Sequence, residues 1–110
     1  MEPLVLLIKF TANAGNKKEF KRLLMELFEA ISKEPTFVNA ILHEGVQQPD
    51  EILVYETWNE TLENFLKVQM VKPYRALYEK ALTALNVTRE LSVYTPFASW
   101  VAEVPNRKLL

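Results

Sequence analysis

The stretch EILVYETWNETLENF, from Glu51 to Phe65, places a carboxylate and a tryptophan on alternate positions of an apolar strand. Residues two apart on a strand point to the same face of the sheet, so Glu56 and Trp58 share a face. A carboxylate in an apolar strand is costly unless it is hydrogen-bonded or faces a polar space. We therefore expect the face that carries Glu56 to line a cavity, and not the core beneath the helices.

The preceding strand, TFVNAILHE, can supply polar partners on that face. Pairing His43 with Ile52 across the hairpin predicts one set of facing residues. These pairs are His43 with Ile52, Ile41 with Val54, Asn39 with Glu56, and Phe37 with Trp58. The opposite face would pack beneath the helices, and its residues are Val38, Ala40, Leu42, Leu53, Tyr55 and Thr57. His43 is the only histidine, and its side chain ordinarily titrates near neutral pH.

Each of these residues also has a purely structural interpretation. Glu56 can serve as a hydrogen-bond acceptor inside the core, and Trp58 as a packing residue at a strand end. His43 can be a surface residue beside a loop. An exposed His43, with Asn39 and Trp58 outside any enclosed pocket, would favour a domain without catalysis.

The elements that would position these side chains follow from hydrophobic periodicity and turn residues. Strands are predicted over 4–11, 36–44, 52–58 and 88–95. A first helix should begin near Lys17, capped by the side chain of Asn16, and end before Pro35. A second helix should follow Asn59 and be interrupted or restarted at Pro73.

The order β-α-β-β-α-β predicts an α+β, ferredoxin-like split βαβ fold with a four-stranded antiparallel sheet and both helices on one face. Residues 1–110 would form one domain, with a core over about 4–95 and a tail over 96–110 anchored by Trp100. The strands are too apolar for the second face of the sheet to meet water. We therefore expect a homodimer in which two sheets face each other.

Composition removes several classes of function. The formal charge of −1 and the lack of a basic stripe argue against nucleic-acid binding. With one histidine and no cysteine, neither a metal site nor a disulfide framework is expected. The apolar run near the start is interrupted by Lys9, far short of a membrane span. We expect a cytoplasmic protein that binds no membrane.

Four segments in this order form a recognisable pattern. They are NAGNKKEFKRLL, KEPTFVNAILHEG, PDEILVYETWNE with its E-x-W, and FLKVQMVKPYRALYE. Over about residues 4–94 the chain resembles the antibiotic biosynthesis monooxygenase domains of the dimeric α+β barrel superfamily. The resemblance implies a homodimer and a pocket between the sheet and the second helix of the same subunit, with Trp58 at that pocket.

Members of that family include oxygenases of aromatic polyketides and quinols that use no metal or flavin, haem-degrading enzymes, and an isomerase of a phosphorylated sugar. Gln69 stands where many members carry a helix histidine, so histidine-ligated haem is not expected. The resemblance implies a monooxygenase without a cofactor, whose partners are a small aromatic molecule and dioxygen.

In this mechanism the protein binds an aromatic substrate, removes a proton and stabilises the anion, which itself reduces dioxygen. His43 is the candidate base, Asn39 the oxyanion donor, and Tyr74 a second donor or proton relay. The substrate-binding candidates, which include an aromatic wall, are Phe37, Glu56, Trp58, Phe65 and Gln69.

Two alternatives stay open on the same fold. A small-molecule isomerase would need a cation for a phosphorylated substrate, and Lys9 and Arg75 are the candidates, although both are expected to be exposed. A ligand-binding dimer without catalysis is the other alternative, because a fold does not fix a function.

Overall fold

The computed structural model describes residues 3–102 and confirms the predicted α+β fold. The strands are β1 (Leu4–Thr11), β2 (Phe37–Glu44), β3 (Glu51–Trp58) and β4 (Thr88–Tyr94). The helices are α1 (Lys17–Ile31), α2 (Leu62–Asn64), which continues into a π-helical turn (Phe65–Gln69), and α3 (Pro73–Ala84). The strands form one antiparallel sheet in the order β2-β3-β1-β4, the arrangement of a ferredoxin-like domain.

Helix α1 covers one face of this sheet with an apolar stripe at helical spacing. Its buried residues are Phe20, Leu24, Leu27 and Ile31. The predicted cap is wrong, because the Asn16 side chain accepts no hydrogen bond from the helix. Its Nδ2 donates instead to the Leu85 carbonyl at 2.8 Å, which ties the start of α1 to the end of α3.

The register of the β2–β3 hairpin differs from the predicted one. Phe37 pairs with Trp58 as expected, but the register shifts between Phe37 and Asn39. The pairs beyond this irregularity are Asn39 with Thr57, Ala40 with Glu56, Ile41 with Tyr55, Leu42 with Val54, and His43 with Leu53. Because side chains alternate between faces, a slip of one residue moves Asn39 and His43 to the face opposite Glu56.

The helices therefore cover the face of β3 opposite to the predicted one, whereas Ala40 and Leu42 of β2 lie on the helix-covered face as predicted. The core beneath them contains Leu6, Phe10, Val54 and Trp58, and Glu56 lies on the same face. We call the other face, which carries Asn39, Ile41, His43, Leu53 and Tyr55, the open face. The expectation that Leu53, Tyr55 and Thr57 pack beneath the helices is wrong. Both faces of β3 are apolar, so hydrophobicity did not distinguish them.

The predicted interruption of the second helix is confirmed, with an added irregularity. The Met70 N–H bonds to the Phe65 carbonyl at 3.2 Å, the five-residue spacing of a π-helix, which is uncommon and often marks functional sites. Pro73 then begins α3, where its missing N–H costs nothing. This restart determines which side of α3 faces the sheet.

Strand β4 is an edge strand whose residues are all exposed. The following residues up to 102 form no helix or strand, and Phe97 and Trp100 are 100% and 89% exposed. Trp100 therefore does not anchor the tail within a single chain. Residues 103–110 of the predicted tail lie outside the described residues. Among residues 3–102, no helix is long and apolar enough to cross a membrane.

Candidate functional site

A cleft of about 100 Å³ lies between the helix-covered face of the sheet and the helices. Its polar side chains come from β3, α3 and β4, and they are Glu56, Arg75, Tyr78, Glu79 and Arg89. Its apolar walls include Leu6, Phe28, Ile31, Phe65 and Met70. Apolar walls with a few convergent polar groups are typical of small-molecule sites.

Glu56 is 2% exposed and lines this cleft. The Trp58 indole Nε1 donates to its Oε1 at 2.9 Å, so the E-x-W pattern of β3 is a hydrogen-bonded pair on one face. Within residues 3–102, Oε2 has no hydrogen-bond partner. Burial raises the pKa of Glu56, and the Trp58 bond and the Arg75 charge partly oppose that shift. The cavity expected beside Glu56 is present, but on the helix side of the sheet.

Arg75 is the buried cationic group of the cleft, at 9% exposed, so the expectation that it is exposed is wrong. It lies in the first turn of α3 and faces inward with Tyr78 and Leu82, at helical spacing. Its guanidinium carbon is 5.6 Å from the centre of the Phe65 ring. Within the described residues, its Nε and Nη2 have no hydrogen-bond partner. Buried N–H groups are seldom left unpaired, so these two mark a place for a ligand oxygen or a water molecule.

Glu79 and Arg89 form an ion pair where the cleft is more exposed. Arg89 Nη2 lies 2.7 Å and 2.8 Å from the two Glu79 carboxylate oxygens. This pair joins α3 to β4, and about two-fifths of each side chain is accessible to solvent. Burial raises the pKa of the neighbouring Tyr78, so its phenol stays protonated at neutral pH.

An aromatic cluster supports the inner end of the cleft. Trp58 is fully buried and meets Phe37 and Phe65 edge-to-face, with ring centroids 5.4 Å and 5.2 Å apart. Phe65 lines the cleft directly. Gln69 also belongs to the π-helical turn; it is buried, and its Oε1 has no partner within residues 3–102. Phe37, Trp58 and Phe65 thus form one cluster, but the lining of the cleft includes Phe65 and not Trp58, Phe37 or Gln69.

The three predicted catalytic residues lie elsewhere. His43 and Asn39 are exposed on the open face, so the prediction that they share a face with Glu56 and Trp58 is wrong. Tyr74 donates its hydroxyl to Glu34 Oε1 at 3.0 Å, between the end of α1 and the start of α3. Burial and this bond raise the pKa of Tyr74. The catalytic roles of the three residues stay predictions.

Sequence reasoning missed the other polar residues of the cleft, which are Tyr78, Glu79 and Arg89. One signal was available: Arg75, Tyr78 and Leu82 recur at the spacing of a helix face, and this face includes a charged residue. Within residues 3–102, no group of three or more His, Asp or Glu side chains converges to hold a metal ion.

Comparison with known proteins gives the family. Residues 3–69 match the model of the antibiotic biosynthesis monooxygenase family. No curated protein is significantly similar in sequence.

Solved structures share the fold at low sequence identity. SnoaB, a cofactor-independent oxygenase from Streptomyces nogalater, is 18% identical with a TM-score of 0.78, over 90% of this chain and 97% of that one. An antibiotic biosynthesis monooxygenase homologue from Deinococcus radiodurans is 21% identical with a TM-score of 0.73, over 92% and 97%. PA3566 from Pseudomonas aeruginosa is 18% identical with a TM-score of 0.78, over 89% and 97%. Since the family match spans more than half of the chain, this protein belongs to the antibiotic biosynthesis monooxygenase family.

Proposed function

We propose that this protein is a monooxygenase that uses neither metal nor flavin and oxidises a small aromatic quinol or anthrone with dioxygen. One observation carries the proposal: a buried carboxyl group and a buried guanidinium line one cleft, and two guanidinium nitrogens have no hydrogen-bond partner within residues 3–102. Membership in a monooxygenase family and the likeness to the fold of a cofactor-independent oxygenase support it.

The chemistry needs no external reductant. An aromatic anion donates one electron to dioxygen, and the resulting superoxide and substrate radical combine at carbon. One oxygen atom stays in the product as a carbonyl and the other leaves as water, so an anthrone and one dioxygen give an anthraquinone and one water. The protein has to bind the aromatic ring, remove a proton and stabilise the anion.

The cleft has groups suited to binding and stabilisation. Phe65 offers an aromatic surface, supported by its edge-to-face contact with Trp58. We assign to Arg75 the stabilisation of the substrate oxyanion, since its buried Nε and Nη2 are donors without a partner within residues 3–102. A donor placed at a developing oxyanion typically contributes about 10²–10³-fold in rate. Trp58 packs against Phe65, and Phe37 packs against Trp58, so both support this surface. We assign a supporting role to Gln69 as well, because it shares the π-helical turn with Phe65.

The predicted roles of His43, Asn39 and Tyr74 are separate proposals with separate tests. On the open face, His43 and Asn39 would act only in a site formed there by a second chain. Tyr74 shares the first turn of α3 with Arg75 and is held by Glu34, so it would act by positioning that turn. The variants His43→Ala and Tyr74→Phe address these two cases.

The proposal includes a homodimer in the cytoplasm. The open face exposes Leu53, and the end of β4 and the tail add exposed apolar residues, which are Tyr94, Phe97, Trp100 and Val101. Burying such surface is favourable by about 25 cal/mol per Å². A cytoplasmic location suits a chain without cysteine, since its folding needs no oxidising compartment.

Sedimentation equilibrium of Leu53→Glu tests the homodimer, with Val46→Glu as the control because Val46 is a 98% exposed loop residue. We expect a wild-type dimer that only Leu53→Glu weakens. A monomeric wild type contradicts the homodimer, and a dimer that neither variant weakens contradicts the open face as its interface.

The test of function uses metal-stripped protein and isotopically heavy dioxygen with a panel of hydroquinones and anthrones. We expect product formation faster than autoxidation, with one heavy oxygen atom in the product by mass spectrometry. Heat-denatured protein is the control. Wild-type protein that never exceeds autoxidation contradicts the proposal and leaves a binding domain or an isomerase.

A further inference from the structure

Glu56 has an arrangement that packing alone does not require. It is 2% exposed, belongs to the most buried strand of the sheet, and still lines the cleft. Only one of its oxygens is used within residues 3–102, by the Trp58 indole at 2.9 Å. A carboxylate kept merely to satisfy the indole N–H would be an expensive solution, since burying an ionised group costs several kcal/mol.

A second buried glutamate in the same chain shows what a structural role looks like. Glu60 is 3% exposed, and both of its oxygens are occupied, by the Thr36 hydroxyl and the Asn64 amide. It lies at the start of α2 and does not line the cleft. Glu56 differs from Glu60 in that one of its oxygens has no hydrogen-bond partner within residues 3–102, and in that it lines the cleft shared with Arg75.

We infer that Glu56 is the proton acceptor of the reaction, with Oε2 taking the acidic hydrogen of the bound substrate. This inference rests on the proposed function for its substrate class. For an anthrone, a ring C–H bond breaks, its electron pair stays on the substrate as an enolate, and the proton forms an O–H bond on Oε2. The enolate oxygen would be held by Arg75, which lines the same cleft.

The surroundings of Glu56 suit this role. The cleft that Glu56 lines is also lined by Arg75, Tyr78 and Glu79 from α3 and by Arg89 from β4, and its walls from α1 are the apolar Leu27, Phe28 and Ile31. Glu79 and Arg89 neutralise each other, so Arg75 is the remaining charge. Burial raises the pKa of Glu56, which makes its carboxylate a stronger base than an exposed one. Trp58 fixes the orientation by holding Oε1.

Hydrogen exchange tests this step without dioxygen. Anaerobic exchange of the acidic ring hydrogens of anthrone for deuterium from heavy water, followed by nuclear magnetic resonance, measures proton removal alone. Wild-type protein should accelerate exchange, with a rate that rises with pH as Glu56 ionises and then levels off. Glu56→Gln should lose about 10²–10⁴-fold of the rate, the usual contribution of a placed base. Glu60→Gln is the matched control and should keep wild-type exchange.

Every outcome decides the assignment. Exchange in Glu56→Gln within a few-fold of wild type, or no catalysed exchange by wild type, would overturn it. If circular dichroism shows that Glu56→Gln is unfolded, Glu56→Asp carries the test, because a displacement of about 1 Å can cost about 10²-fold. An exchange rate in Glu56→Asp equal to that of the wild-type protein would then overturn the assignment.

The result also separates this inference from the proposed function. Wild-type hydrogen exchange that is lost in Glu56→Gln, without any oxygen consumption, would support Glu56 as the proton acceptor and contradict the monooxygenase function. Oxygen consumption with unchanged exchange in Glu56→Gln would support the monooxygenase and contradict the role of Glu56.

Discussion

Replacing Trp58 by phenylalanine would test whether the E-x-W pair stabilises the site as the structure indicates. The change removes the indole N–H that Glu56 accepts at 2.9 Å and leaves a buried carboxyl group with no donor. A hydrogen bond to a charged group typically contributes about 1.5–3 kcal/mol. The smaller ring also weakens two edge-to-face contacts, each worth about 0.5–1.5 kcal/mol. We expect a total loss of roughly 2–4 kcal/mol, a large share of a typical domain's stability.

Urea unfolding followed by circular dichroism at fixed protein concentration measures this loss. Val46→Ala is the control, because a truncation at a 98% exposed loop position outside the proposed dimer surface should change the unfolding free energy by less than about 0.5 kcal/mol. The loss at Trp58 should shrink in acid, since protonated Glu56 accepts a weaker bond. Equal unfolding free energies for Trp58→Phe and Val46→Ala would refute this account of the pair.

The remaining predictions concern the other polar groups. Burial raises the pKa of Glu56 in the folded protein above 4.5, so the folded protein loses stability as the pH rises past 4.5 and Glu56 ionises. Glu56→Gln should therefore have a higher unfolding free energy than wild type at neutral pH. Urea unfolding at several pH values measures this difference, which should vanish in acid. Arg75→Met should raise the unfolding free energy by about 1–3 kcal/mol, because it removes two buried donors that have no partner within residues 3–102. Its rate of oxygen uptake should fall. A lower unfolding free energy than that of wild type would mean that these donors are satisfied. His43→Ala should alter unfolding by under about 0.5 kcal/mol, and a larger loss in thermal melts would place His43 in a packed environment.

The element order was predictable because each element is specified locally. The apolar stripe of α1 follows a helical period, and Pro73 marks the restart of the second helix. The cost of an isolated carboxylate in an apolar strand predicts that Glu56 faces a cavity, and Glu56 does line one, but on the helix-covered face and not on the predicted face.

The strand register was not predictable by the same reasoning. One irregularity between Phe37 and Asn39 reverses the faces of all later residues of β2, and nothing in the alternation of residues identifies it. The predicted register grouped Asn39, His43 and Glu56 because they are polar. In the folded chain Glu56 is accommodated by Trp58 instead, two residues along its own strand.

The burial of Arg75, which was a candidate cation but was expected to be exposed, was unpredictable for a different reason. An arginine in a helix is usually exposed, and the tyrosines around it define more than one plausible apolar stripe. Only the restart of α3 at Pro73, after the π-helical turn, sets which stripe faces the sheet. That rotation depends on tertiary packing, which local propensity does not describe.

Oxygen uptake by metal-stripped protein, compared between Arg75→Gln and His43→Ala, tests most directly whether the chemistry takes place in the cleft. The account predicts that Arg75→Gln loses about 10²–10³-fold of the enzyme-dependent rate, whereas His43→Ala keeps the wild-type rate. Uptake lost in His43→Ala and retained in Arg75→Gln would contradict it and move the reaction to the open face of the sheet.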